Sequence, residues 1–203
     1  MTPTEWKPFL QRYSDELLKA DPKRIALPPE ARAARWMGFD PAPGDAIEAA
    51  EKRLGRRLPP SLRTFYQVSN GWRATGHFIT DVLPVERIGW LKDRDPHLYQ
   101  LACQTEATKG PFKRDPDGSR LRAYVLEQGT RVKRSLAISS WGDAAIWLLD
   151  PGEQPHDGEW PAGRWASWSP AMEWQAESFE GLMRRELEGF VRLRDSPDQH
   201  ESR

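Results

Sequence analysis

Residues 54 to 72 read Leu-Gly-Arg-Arg-Leu-Pro-Pro-Ser-Leu-Arg-Thr-Phe-Tyr-Gln-Val-Ser-Asn-Gly-Trp, and no other stretch constrains the fold as much. Upstream, Ile47, Ala50 and Leu54 recur at helical spacing behind Pro43-Gly44-Asp45, with Asp45 placed to cap the first amides. Gly55 suits the left-handed position that ends such a helix. Pro60 fits the first turn of a second helix, where a missing amide hydrogen costs nothing. Leu62, Phe65, Tyr66 and Ser69 make one face of that helix over 60–69, and Asn70-Gly71 tolerates the positive φ needed to turn the chain away. The pattern predicts two short helices joined by a stiff corner. Nothing in it is chemically reactive.

Around this corner the chain alternates between helical and extended patterns. Trp6, Phe9, Leu10, Tyr13, Leu17 and Leu18 form an amphipathic first helix that Asp21-Pro22 ends. A polar link through Pro28-Pro29 leads to Trp36-Met37-Gly38-Phe39, an apolar plug against the helix pair. Phe78 to Trp90 is apolar and partly β-branched, and Pro84 makes it an edge strand or a bent one. Asp95 caps a helix with Pro96 at its first position and Leu98, Leu101, Ala102 and Thr105 along it. Leu121, Ala123 and Val125 alternate like a strand. Ser135 to Asp150 is the clearest hairpin, with Gly142-Asp143 as its turn and Ala145, Trp147 and Leu149 on one face. Arg164 to Trp174 reads as a last short strand and a turn at Ser169-Pro170. Ser178 then caps a helix with Phe179, Leu182, Met183, Leu187, Phe190 and Val191 apolar. Antiparallel strands with helices before and after them predict an α+β fold with a mainly antiparallel sheet. The expected organisation is an N-terminal helix and linker over 1–35, one α+β domain over 36–194 and a polar tail over 195–203.

Bulk properties remove several function classes. At 203 residues there is material for a substantial core. Thirty basic and thirty acidic residues cancel, so no global field favours nucleic acid or an anionic membrane. No apolar run approaches the ~20 residues that cross a bilayer, and the first residues lack the basic-then-apolar order of a signal peptide. The single cysteine permits no internal disulfide. These points predict a cytoplasmic protein that spans no membrane.

Reactive constellations are scarce. The four histidines, at 77, 97, 156 and 200, lack metal-ligand spacing. Cys103 lies mid-helix beside Ala102 and reads as a small buried apolar group without a partnering base. There is no nucleophile elbow, phosphate-binding glycine loop or dinucleotide fingerprint. The expectation is therefore no enzyme, no cofactor and no metal. Between Lys109 and Arg134, eight basic residues face three acidic ones, which suits either a charged edge or an acidic protein partner. Ten tryptophans, several of them late in the chain, supply candidate interface anchors, since tryptophan and arginine concentrate binding energy.

The order of features, Leu54-Gly55 then Leu58-Pro59-Pro60, an aromatic helix and Ser69-Asn70-Gly71, resembles the SUKH superfamily and its Smi/Knr-type branch. Leu83-Pro84-Val85-Glu86-Arg87-Ile88 is similar to the family's strand after the Asn-Gly turn. Ser140-Trp141-Gly142-Asp143 with Ile146 to Asp150 resembles its later hairpin, and Ala176 to Leu182 its closing helix. The resemblance runs from about Trp36 to Phe190 in separate pieces. It implies protein binding, not catalysis: bacterial members are commonly immunity proteins that neutralise a cognate toxin, and the eukaryotic branch is associated with cell-wall regulation and signalling scaffolds. The expected partner is a cognate protein toxin, occluded by a preformed face, with no nucleic acid and no membrane involved. The alternative is a regulatory or scaffold protein without a toxin partner. The resemblance supplies no universal binding residues. From the residues themselves, the expected anchors are Trp72, Arg73, Trp90, Trp141, Asp143, Trp165 and Trp168.

Overall fold

The computed structural model describes residues 1–22, 25–76, 81–107, 129–152, 157–166 and 173–196. Helices α1 (Pro3–Leu18), α2 (Pro29–Ala34), α3 (Gly44–Leu54) and α4 (Pro60–Tyr66) come first. Strands β1 (Trp72–Arg73), β2 (Asp81–Val82) and β3 (Gly89–Trp90) follow, then α5 (Leu91–Arg94) and α6 (Pro96–Ala107). A helical segment over described residues 129–134, α7, leads into β4 (Leu136–Ala137), β5 (Ala145–Leu149), β6 (Ala162–Ala166) and β7 (Glu173–Ala176), and α8 (Phe179–Asp195) closes the order. β3 to β7 form a five-stranded antiparallel sheet in sequence order, and β1 pairs with β2. The small ribbon is stitched to the large sheet where Leu83 N–H donates to the Ile138 carbonyl at 2.9 Å and Val82 bridges Ser139. The protein is α+β with antiparallel sheets.

The helix corner forms as its residues require. Gly55 ends α3 with φ 67°, and Pro60 opens α4. Asp45 is not the cap: Pro43 takes that place and Asp45 lies in the first turn, its carboxylate on the Ala46 amide. Helix α4 stops at Tyr66, three residues short of the expected end. Ser69 is buried instead as a link, accepting from Phe39 N–H at 2.9 Å and donating to the Gly71 carbonyl at 2.6 Å. Gly71 has φ 108°, and a Cβ there would lie 2.9 Å from the Val82 carbonyl oxygen, so a glycine is needed on both counts.

The expected strand from Phe78 to Trp90 is not continuous where it is described. Residues 81–82 and 89–90 are extended, and the chain turns between them at 85–87. Asn70 fixes that turn: its Oδ1 accepts from Val85 N–H at 2.8 Å and its Nδ2 donates to both Glu86 oxygens. The β4–β5 hairpin turns at Asp143-Ala144, one residue later than expected. Both have positive φ (45° and 53°), and Gly142 and Ala145 exchange two backbone hydrogen bonds across them. This is the backbone of a two-residue primed turn. Arg164 to Trp174 contains parts of two strands rather than one, β6 and β7, antiparallel to each other.

Strand β5 is buried along its whole length because both faces of the sheet are covered. Ala145, Trp147 and Leu149 enter the main core, as their alternation predicts, while Ile146 and Leu148 face a second cluster with Leu91, Leu98, Ala102 and Val132. The main core does not break at residue 35. Trp6 of α1 packs on Phe65 of α4 (centroids 5.4 Å apart) and on Phe179 of α8 (5.8 Å), with Leu10, Tyr13 and Leu17 beside it. Ser178 caps α8 by accepting from Gly181 N–H at 3.0 Å, as expected. Cys103 is half-buried, not buried. The strand expected around Leu121, Ala123 and Val125 lies outside the described residues.

Candidate partner-binding site

Three of the expected anchors, Trp141, Asp143 and Trp165, come to one corner of the large sheet. The β4–β5 turn puts Asp143 at the tip, exposed, with Trp141 two residues before it. Trp141 is 41% exposed, the largest side chain left so open among the described residues. It is nevertheless held: its Nε1 donates to Asp95 Oδ2 at 3.0 Å, and its ring meets Trp165 edge-on at 5.7 Å and 89°. Asp95 serves two elements at once, because its other oxygen accepts from Leu98 N–H at 2.8 Å and caps α6. Trp165 stands opposite Ile146 and Trp174 opposite Gly163, so both indoles share the outer sheet face. Arg131 lies over the Trp174 ring at 4.0 Å. The Trp141 indole is thus exposed and yet held in one orientation by Asp95 and Trp165.

The remaining anchors do not join this corner. Trp72 is fully buried against Tyr13 (5.6 Å) and Trp36 (5.5 Å), so it is a core residue and not a surface anchor. The reason is the Ser69–Phe39 link and the Gly38–Trp72 bridge, which draw the segment after Gly71 inward. Trp90 is half-buried at the end of α3, stacked on Trp160 and donating to the Leu54 carbonyl. Arg73 donates to the Gly38 carbonyl at 2.6 Å and lies 3.7 Å over the Phe39 ring, which is itself partly exposed. Trp168 lies outside the described residues.

Two basic residues of the Lys109–Arg134 segment turn inward. Arg131 and Arg134 both bind Asp150, which is buried. Burial works to raise the Asp150 carboxyl, and the Arg134, Gly152 and Arg131 hydrogen bonds overcome it and hold it below the ordinary aspartate value. Asp81, across from Arg73 on the small ribbon, is raised by burial despite Arg73 and Ser140 beside it. Glu186 on α8 is pushed up to about 7 by burial, with the Arg164 charge opposing.

Sequence reasoning missed Asp95 and Trp174 as members of the corner. Asp95 reads only as a cap, and its second oxygen finds Trp141 forty-six residues away. Trp174 is brought to Trp165 by β6–β7 pairing that the sequence presents as one strand. Among the described residues, no three His, Cys, Asp or Glu side chains are grouped so as to hold a metal ion. No helix among them is long and apolar enough to cross a membrane.

An aromatic helix corner, an antiparallel sheet covered on both faces and an exposed indole beside a hairpin turn define an α+β protein with an open aromatic corner. The chain belongs to the SMI1 / KNR4 family (SUKH-1), whose model matches residues 41–185. No curated protein matches the chain.

Proposed function

We propose that this chain is an immunity protein that binds a cognate toxin in the cytoplasm of the producing cell and blocks it by occlusion, without catalysis of its own. The observation that carries this reading is the corner made by Trp141, Trp165 and Asp143: an exposed indole, held in place at the end of the central hairpin, has the chemistry of an interface anchor. Family membership is consistent with it. Protection of the producer demands an affinity near nanomolar, about −12 kcal/mol, and a few fixed aromatic anchors with a polar surround can reach that figure.

The test is capture from lysate of the native host with tagged protein, read by mass spectrometry, alongside the Trp141→Ala variant. One stoichiometric partner with a toxin domain, lost with the variant and rendered harmless by co-expression of the wild-type chain, is the expected result. Several substoichiometric partners without toxicity would replace the immunity reading with that of a regulatory or scaffold protein.

A further inference from the structure

We infer that the Trp141 corner selects a cationic side chain, an arginine or lysine presented by a protein partner. The inference rests on the proposed protein-binding role and adds the chemistry that the corner recognises. Trp141 exposes part of its ring system while its Nε1 is committed to Asp95. The face of an indole is electron-rich and attracts a guanidinium or ammonium group. Two carboxylates flank it: Asp143, exposed at the turn, and Asp95, already hydrogen-bonded to the indole edge.

Neither carboxylate forms an ion pair with a basic side chain among the described residues. Arg94 packs its stem over Gly89, and Arg131 and Arg134 hold Asp150. The corner therefore combines an aromatic face with two carboxylates that form no ion pair among the described residues. A cation seated over Trp141 gains both the ring quadrupole and the carboxylate field, whereas an acidic or purely apolar partner leaves Asp143 uncompensated. The turn backbone adds definition, because Asp143 and Ala144 occupy left-handed positions closed by two backbone hydrogen bonds, which set the direction of the Asp143 side chain from the tip.

The experiment follows the indole N–H resonances of 15N-labelled protein, with Trp141 assigned by Trp141→Phe, during titration with octa-arginine and, separately, octa-glutamate. Octa-arginine is expected to move the Trp141 and Trp165 signals and octa-glutamate to leave them in place. Asp143→Asn is expected to weaken the arginine response about two- to fivefold, and raising salt from about 0.05 to 0.5 M to remove most of it. An unmoved Trp141 signal, equal responses to both peptides, or an unchanged response in Asp143→Asn overturns the inference. Lysate capture with the same variants separates this from the broader reading. A partner lost by Trp141→Ala but kept at full strength by Asp143→Asn leaves protein binding at this corner and removes the cation preference. A partner kept by both removes the corner from the proposed function altogether.

Discussion

Arg134 grips Asp150 through two nearly parallel hydrogen bonds, Nε to Oδ1 at 2.5 Å and Nη2 to Oδ2 at 2.9 Å. Arg131 adds a third at 2.7 Å, and the Gly152 amide a fourth. A carboxylate with 0% exposure at the end of β5 is thereby satisfied by α7 in front of the sheet and by its own loop. The arrangement ties the region after the basic segment to the central strand.

Asp150→Ala leaves two guanidinium groups without their counter-charge at a site they can only partly abandon to water. Breaking such a pair from one side costs about 3–5 kcal/mol when both partners are buried. Arg134 is more than a third exposed, so the lower end, about 3 kcal/mol, is expected from urea unfolding. A loss under about 1 kcal/mol would mean that the grip contributes little. The carboxyl's folded value lies below its unfolded one, so its stabilisation is complete above the unfolded value of about 4 and is lost as pH falls through the folded value.

Glu186 shows the opposite sign. Burial raises its carboxyl to about 7, and the Oε1 atom sits where a Cβ on Gly76 would be only 2.7 Å away. Its contribution is intact below the unfolded value near 4.5 and declines as pH rises through about 7. Thermal unfolding at about pH 8 should therefore be easier than at about pH 5.5, by about 2 kcal/mol, and Glu186→Gln should flatten that difference and stabilise the protein at the higher pH by about 3 kcal/mol. Parallel pH profiles for wild type and variant would refute the assignment.

Glycine geometry supplies a third test. With φ 108° and the Val82 carbonyl oxygen only 2.9 Å from where a methyl group would stand, Gly71→Ala should cost about 1–3 kcal/mol. At the hairpin tip the direction reverses. Ala144 carries φ 53° without being glycine, so Ala144→Gly should stabilise by about 0.5–1 kcal/mol, the left-handed penalty being partly offset by backbone entropy. Chemical denaturation of the two variants, with midpoints moving in opposite directions, is the expected outcome.

The parts of the fold legible in the sequence are those set by local chemistry. Pro60, Gly55, Ser178 and Asp95 act through bonds to residues within one turn, and each ends or begins a helix as expected. The alternation of Ala145, Trp147 and Leu149 likewise shows its core face. What the sequence hides is long-range. Asn70 reads as a helix stop, yet its side chain also shapes the 85–87 turn and divides an apparent strand in two. Arg131 and Arg134 look like solvated charges because Asp150 is sixteen or more positions away. Periodicity places α1 as an amphipathic helix but cannot show that Trp6 completes the core between α4 and α8. For the candidate site, residue type identifies Trp141, Asp143 and Trp165, while depth of burial separates them from Trp72.

Trp72 and Trp141 should accordingly behave in opposite ways. Trp72 is enclosed by Tyr13 and Trp36, so Trp72→Ala opens a large cavity and should cost about 3–5 kcal/mol. Its Nε1 finds no hydrogen-bond partner among the described residues. Trp72→Phe therefore removes an unsatisfied polar group together with some packing, and the two effects should offset to leave the loss well below that of the alanine variant, about 1–2 kcal/mol. Trp141 has 41% of its surface in water and a single hydrogen bond to Asp95, so Trp141→Ala should cost about 1 kcal/mol or less. Calorimetry of the three variants, each followed by partner capture, separates stability from recognition. Trp141→Ala should melt near wild type and fail to capture. Trp72→Phe should lose modest stability and capture normally. If Trp141→Ala instead unfolds the protein as Trp72→Ala does, the indole is a structural strut of the hairpin and not a contact for a partner.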